Sequence, residues 1–220
     1  MVKSSTVRAM ARRLTQRGKD RRDQLMAFAA ARFAEQGYHP TSVSEIVSGL
    51  GVGKGVFYWY FESKEELFRE ILRESMTDLR RFQQQAIVDE PDPVRRIELG
   101  IRASIAWWAA NRDLHELIQF AATEESFRPA IRKGQEVAAT DTAKHVNEGI
   151  ARGEIRDADP AYIAHAIIGI TDRLVNRFVH DEGADPDEVA DVACAFVLDG
   201  ILAGASDYIR SATDEPVDAA

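Results

Sequence analysis

Apolar side chains along this chain recur at intervals of three and four, and strict alternation is nearly absent, so the pattern is helical rather than stranded. In RRDQLMAFAAARFAEQG, Leu25, Phe28, Ala29 and Phe33 fall at helical spacing, and Gly37 stands where a helix should stop. Two capping-box registers follow, Ser42 with Glu45 and Ser63 with Glu66. The second opens a long helix carrying Leu67, Phe68, Ile71, Leu72, Leu79 and Phe82. Asp-Pro pairs at 92–93, 159–160 and 185–186 each read as an N-cap followed by proline at the first helical position. Between these signals the periodicity predicts helices over 94–110, 113–121, 126–151, 160–179 and 187–209. The predicted fold class is all-α with about nine helices: three short ones up to residue 62, then a larger helical body.

The three short helices fit a helix-turn-helix. The second covers 43–49, the turn is LGVG from Leu50 to Gly53, and the third covers 54–60. A recognition helix enters the major groove with its N-terminal end, so residues there must be small or able to hydrogen-bond. Gly53, Lys54, Gly55 and Val56 meet that demand, and Lys54 can neutralise a phosphate. Then come five consecutive aromatics, FYWYF, from Phe57 to Phe61. Phe57 and Phe61 are four apart and share a face, which assigns both to a small core with Leu25, Phe28 and Ile46. Tyr58 falls on the groove side, flanked by Trp59 and Tyr60, whose rings can pack on sugars while their polar tips donate to phosphates. In the alternative, all five rings fill the core, a large load for a module of about 40 residues.

Charge changes this picture. The chain of 220 residues carries a net −8, which by itself argues against a polyanion partner, but the sign is unevenly spread. Residues 1–22 hold eight bases against one acid, residues 23–70 four against seven, and residues 71–220 hold 16 against 28. A basic arm on an acidic body points to a polyanion at one end, and a disordered solubilising tail would carry the same signature. The one cysteine, Cys194, excludes an internal disulfide and a thiolate framework for a metal. No apolar run approaches the roughly 20 residues that span a bilayer, and no apolar segment follows the basic N-terminus, so the expectation is a cytoplasmic protein with no membrane partner.

The stretch GYHPTSVSEIVSGLGVGKGVFYWYFESKEELF resembles the DNA-binding signature of the TetR family of bacterial one-component regulators. The matching features are Gly37-Tyr38, Thr41-Ser42-Val43, Ile46, Gly51-Val52, Lys54-Gly55, Phe57-Tyr58, Tyr60-Phe61 and Ser63-Lys64-Glu65. GIARGEIRDADP also looks like the connection that the family often places before its eighth helix. The resemblance implies roles. Ser42 and Ser44, at the start of the second helix, would contact phosphates. Lys54 and Val56 would face the groove, and Tyr58, Trp59 and Tyr60 match the family's aromatic contact positions. Lys64 would hold a phosphate at the start of the fourth helix. Gly53 departs from the more usual serine or threonine, and Val47 and Leu50 are larger than the alanines common there. Side-chain readout is thin with Gly53 and Gly55 both present, which shifts weight towards DNA shape.

The implied organisation is a basic arm at 1–22, a DNA-binding domain at 23–67, an effector-binding and dimerisation domain at 68–210, and a disordered tail at 211–220. The partners would be a double-stranded operator, a second copy of the chain and a small-molecule effector. Independently, the 187–209 helix is apolar nearly all round, with Ala193, Ala195, Gly200, Ala203, Gly204 and Ala205 among larger side chains. Such a helix is buried on more than one side, either in a dimer or at the centre of a monomer. The effector site, expected by resemblance, would lie among the helices at 94–151 and 160–179. On 94–110, Ile97, Ile101, Ile105 and Trp108 form a core stripe, with Gly100, Ser104 and Trp107 beside it. Those small residues leave space for a cavity mouth or for a neighbouring helix. Ser104, Trp107, Phe120, Phe127 and Tyr162 are the candidate lining of a mainly apolar site.

Enzyme signatures fail on spacing. His115-Glu116 lacks a second histidine, because Gln119 occupies that position, and the five histidines, His39, His115, His145, His165 and His180, are expected to form no close cluster. Gly51, Gly53 and Gly55 lead into Val56-Phe57-Tyr58 rather than a phosphate-loop lysine. Cys194 reads as a core thiol. The functional expectation is therefore a sequence-specific DNA-binding regulator without catalysis or cofactor, a repressor released from a palindromic operator when a small, mainly apolar molecule binds the second domain. The rival is a helical architectural DNA-binding or interaction protein with no small-molecule effector.

Overall fold

The structure, a computed structural model, describes residues 15–203, and their regular elements are helices, with one isolated β-bridge. In chain order the helices are α1 (Gln16–Gln36), α2 (Val43–Gly49), α3 (Lys54–Tyr60), α4 (Lys64–Ile87), α5 (Pro93–Ala110), α6 (Arg112–Thr123), α7 (Arg128–Ala151), α8 (Pro160–Leu174) and α9 (Pro186–Ile201). A π-helical segment, Val175–Asp181, continues α8. Two compact units divide the chain, one ending at Ile71 and the other beginning at Leu72, so α4 belongs to both.

In the first unit, α1 starts earlier than its apolar pattern suggested. Thr15 caps it, accepting from the Gly18 N–H (3.3 Å), so Arg17, Lys19, Arg21 and Arg22 are helical rather than part of a disordered arm. The remainder of that predicted arm, residues 1–14, lies outside the described residues. The core gathers Leu25, Ala29 and Phe33 of α1, Ile46 of α2, Phe57 and Phe61 around α3, and Leu67 and Phe68 of α4. Phe33, Tyr38 and Phe68 form a triangle of rings at 4.8–5.4 Å. Phe28 is only half-buried because its ring lies across the α2 backbone at Gly49. A Cβ built there would sit 2.0 Å from Phe28 Cζ.

In the second unit each Asp-Pro pair caps as its sequence predicts. Asp92 accepts from Val94 and Arg95 N–H, Asp159 from Ala161 N–H and Asp185 from Asp187 N–H. The buried stripe Ile97, Ile101, Ile105 and Trp108 of α5 belongs to the same core as Val189, Ala193, Val197 and Ile201 of α9. Arg102 joins the two helices through Asp191 (2.7 Å). Arg96 ties α5 to α7 by binding Glu148 (2.9 Å). Cys194 is a buried core thiol, its Sγ 3.8 Å from the Glu98 carbonyl.

Helix α9 stops at Ile201, short of the predicted 209. Leu202 turns extended and bridges Ile155, with Arg156 N–H donating to the Ile201 carbonyl and Ala203 N–H to the Glu154 carbonyl. This pairing with the α7–α8 connection consumes backbone groups that a longer helix would need. Gly204, Ala205 and the tail at 211–220 lie outside the described residues.

Candidate functional site

The first unit presents α3 on a scaffold of caps and clamps. Ser42 is the N-cap of α2, accepting from the Glu45 N–H (3.2 Å). The reciprocal half of that capping box is missing, because the Glu45 carboxylate takes Arg32 of α1 instead (2.6 Å). The chain then leaves α2 through Gly51, whose φ of 64° is the left-handed conformation that a side chain would strain. Gly53 caps α3 with backbone alone. Ser63 caps α4 by accepting from the Glu66 N–H (3.1 Å).

The aromatic row separates as helical geometry requires. Phe57 and Phe61 are buried, while Tyr58 is 56% and Trp59 52% exposed. Tyr60 is half-buried and meets Trp59 edge to face at 4.4 Å. Ser42, Ser44 and Lys54 are exposed and Val56 is half-buried. One helix therefore offers an ammonium and two amphipathic rings, with no acidic residue in its first turn.

Lys64 departs from the sequence reading. Its Nζ donates to the carbonyls of Tyr38 (2.8 Å), His39 (3.3 Å) and Thr41 (3.0 Å) and lies 4.3 Å from the centroid of the Tyr38 ring. All three ammonium protons are thus directed at the α1–α2 turn. Partial burial pushes the Lys64 pKa down. The geometry displays a structural role, although an ammonium is unfavourable beside a helix N-terminus. Three carbonyl dipoles offset the helix end. Nothing local in the sequence signals it, since the partners lie 23–26 residues away. Arg22 is committed in the same way: it binds Glu70 of α4 (2.5 Å) and lies over Phe61 at 5.5 Å, so it is no free arm cation.

The candidate effector lining in the second unit is scattered. Tyr162 is 78% exposed, which corrects its assignment to an interior wall. The Asp159 cap sets the helical phase so that Ile163, Ala164 and Ile167 point inward and Tyr162 outward. The Ser104 hydroxyl is buried and spent, donating to the Gly100 carbonyl and accepting from Gln83 (both 2.7 Å). Trp107 is half-buried, edge-on to Trp108 at 4.7 Å. Phe120 is half-buried and Phe127 fully buried. An open groove of about 440 Å³ between α7 and α8 is lined by Glu136, Thr140, Lys144, Asn147 and His165 among others, and by none of the five predicted residues.

The histidines also require a correction. His115 and His180, far apart in the chain, are buried with ring centroids 4.9 Å apart. His115 Nε2 lies 3.1 Å from Asp172 Oδ1, which also accepts from Gln119 (2.9 Å). His180 resists protonation, first through burial and then through the neighbouring His115 and Arg112. No sequence motif marks this cluster, because the π-helical turn after α8 is what carries His180 onto His115.

Comparison with known proteins bears on both units. Residues 25–71 match the family described as "Bacterial regulatory proteins, tetR family". Residues 90–201 match "Tetracyclin repressor-like, C-terminal domain". The HTH-type transcriptional regulator YdgC of Bacillus subtilis is 22% identical over 196 residues, covering 87% of this chain and 97% of its own. The fatty acid metabolism regulator protein of Bacillus subtilis is 25% identical over 162 residues, covering 72% of this chain and 84% of its own. Among solved structures, the ketosteroid transcriptional regulator KstR2 of Mycobacterium tuberculosis superposes with a TM-score of 0.64 at 27% identity, over 83% of this chain and 95% of that one.

Proposed function

We propose, since the chain belongs to the tetR family of bacterial regulatory proteins, that it is a dimeric repressor released from a palindromic operator when a small, mainly apolar molecule binds its second unit. As a helix-turn-helix transcription regulator it binds DNA and is not an enzyme. Among the described residues no helix is long and apolar enough to cross a membrane, and the proposal places its action in the cytoplasm.

The observation that carries the DNA reading is α3. It exposes Lys54, Tyr58 and Trp59 together while Phe57, from the same seven-residue helix, anchors it in the core. Ser42 and Ser44 supply hydroxyls at the α2 end for phosphates, and Val56 and Tyr60 offer apolar edges to sugars or a thymine methyl. Lys64 contributes by holding the α1–α2 turn, and through that turn Ser42, in place.

Dimerisation is supported by exposed apolar surface on the last two helices. Tyr162 (78% exposed) stands on α8, and Val192 (62%) and Phe196 (69%) lie four apart on α9. Burying such rings against a second copy would recover the hydrophobic free energy that the monomer leaves exposed. In this reading Tyr162 is an interface residue. A mainly apolar effector is supported by relatives named for ketosteroids and fatty acids and by the Trp107, Phe120 and Phe127 side chains within the same unit.

The test is selection of duplexes from a random pool by the full-length protein, with light scattering of the free protein. A two-fold symmetric site and a dimer are expected. Binding without sequence preference, with no response to any small molecule, would favour an architectural DNA binder instead.

A further inference from the structure

The polar node in the second unit is taken up by neither the DNA contact nor the subunit contact proposed above. His115 is 0% and His180 7% exposed, and Trp108 of α5 packs on the His115 ring at a centroid distance of 4.9 Å. A carboxylate only accepts, so the His115 Nε2–H is turned to Asp172 and the other ring nitrogen, Nδ1, is the one left to accept. No described group donates to it. His180 Nε2 and Thr171 Oγ1 are likewise buried and without a hydrogen-bond partner among the described residues. A buried polar atom left in that state costs stability that an apolar group of the same shape would not. His180, moreover, stands on a π-helical turn, a rare interruption that is frequent at functional sites.

We propose that this node is the polar end of the effector site, where His115 Nδ1 and His180 Nε2 together hold the hydroxyl group of an uncharged ring compound, phenol being the simplest. A hydroxyl donates to one imidazole while accepting from the other. A ketone, an ether or a carboxylate has no proton to give His115 Nδ1. The flat faces of Trp108 and the two imidazoles suit a ring rather than a chain. The proposal rests on the ligand-responsive regulator reading above and adds the ligand's chemistry to it.

The experiment uses full-length protein labelled with ¹⁵N at histidine and titrated with phenol, in parallel with anisole, which keeps the ring and loses the donor. Phenol is expected to shift the ring nitrogens of His115 and His180 saturably, and anisole to bind at least about tenfold more weakly, the equivalent of one hydrogen bond. His180→Phe, which keeps an aromatic ring and removes the nitrogens, should weaken phenol to a similar extent without lowering the melting temperature. Equal responses to phenol and anisole, no response to either, or unchanged phenol affinity in His180→Phe overturns the assignment. So do ring nitrogens that already accept a proton in the free protein and do not move with phenol, the signature of a structural water. Operator affinity, read in the same samples, separates the two readings. Phenol bound at the node with operator affinity unchanged keeps the site and removes the ligand-responsive regulator. Operator release by another small molecule that His180→Phe does not alter keeps the regulator and removes the site.

Discussion

The two units treat their polar side chains in opposite ways. In the first, Lys64 spends three protons on three carbonyls, the Thr41 hydroxyl is buried against the Gly37 carbonyl (2.9 Å), and Ser42 and Ser63 cap helices. Most of its buried polar groups are engaged, Arg32 Nε being an exception, and α3 presents Lys54 and Tyr58 on its exposed face. In the second, a layer of buried groups holds His115, His180 and Thr171 with atoms unpaired, while Asp172 and Gln119 orient one of the rings. A surface that meets DNA is best held rigid by a scaffold whose polar side chains are largely engaged, because phosphate contacts fix position. A site that responds to a small molecule gains from polar groups whose partner is not part of the fold, because only differential affinity shifts an equilibrium.

Removing the clamp is the strongest way to break this contrast. Lys64→Met keeps the aliphatic stem and deletes the protons that the three carbonyls accept. We expect a loss on the order of 1.5–3 kcal/mol in the stability of the first unit, the range for hydrogen bonds to a charged group. Thermal or urea unfolding read from the first unit's tyrosines and Trp59 measures it. An unchanged midpoint would mean that the lysine serves DNA alone. Lys64→Arg should retain part of the stability but place a planar fork where three converging protons are needed.

Next in size is Gly49→Val. Its branches would occupy the space of the Phe28 ring, so either the ring swings out or α2 moves off α1. Overpacking of this kind costs about 1–3 kcal/mol. The same assay should show it, and operator affinity should fall with it because α2 carries Ser42 and Ser44. Phe28→Ala in the Gly49→Val background should restore part of the loss if the clash is with the ring.

Tyr58→Ala acts on the exposed side of the contrast. The ring is 56% exposed, so stability should stay within about 0.5 kcal/mol. Binding to the preferred operator should fall by about 1–3 kcal/mol and binding to random duplex by less. Equal losses on both duplexes would make Tyr58 a phosphate contact.

Much of this architecture was legible in the chain. Asp92, Asp159 and Asp185 cap where Asp-Pro predicted, and α2 and α3 have the predicted bounds, because caps and glycines act locally. Phe57 and Phe61 separated from Tyr58 and Trp59 by the same short-range geometry. What failed was long-range. Lys64 found its carbonyls across 23 residues and more, and Arg22 found Glu70 across 48. His180 reached His115 only through a π turn that no propensity announces. Tyr162 was misread because apolar character alone does not distinguish an inward wall from an outward face, and the phase set by the Asp159 cap decides between them.

The smallest effect expected is a pH dependence confined to the second unit. Two histidines there have folded pKa values pushed below the ordinary value near 6.5. For His180 the causes are burial, then His115 and Arg112, against which Glu116 and Asp181 pull upward. For His145 they are burial and then Arg96, opposed by Glu148 and Asp141. In each case the unfolded chain binds the proton at a higher pH than the folded one does. The unfolded state therefore holds more protons between the two pKa values, and stability rises with pH across that window. Acidification from neutrality should thus weaken the second unit as pH falls through about 6.5 and level off below the folded pKa values. Carboxylates held low by arginine, Glu98 beside Arg95 and Arg102 and Glu148 beside Arg96, lose their contribution only as pH falls below about 4.5, so the two phases are separable. His180→Phe should remove part of the upper phase and leave the lower one intact. Urea midpoints at half-unit pH steps, followed by Trp107 and Trp108 fluorescence in a protein whose Trp59 is replaced by Phe, decide it. If the upper phase survives in His180→Phe and disappears in His145→Gln, the dependence belongs to the Arg96 network, and the His115–His180 node plays no part in it.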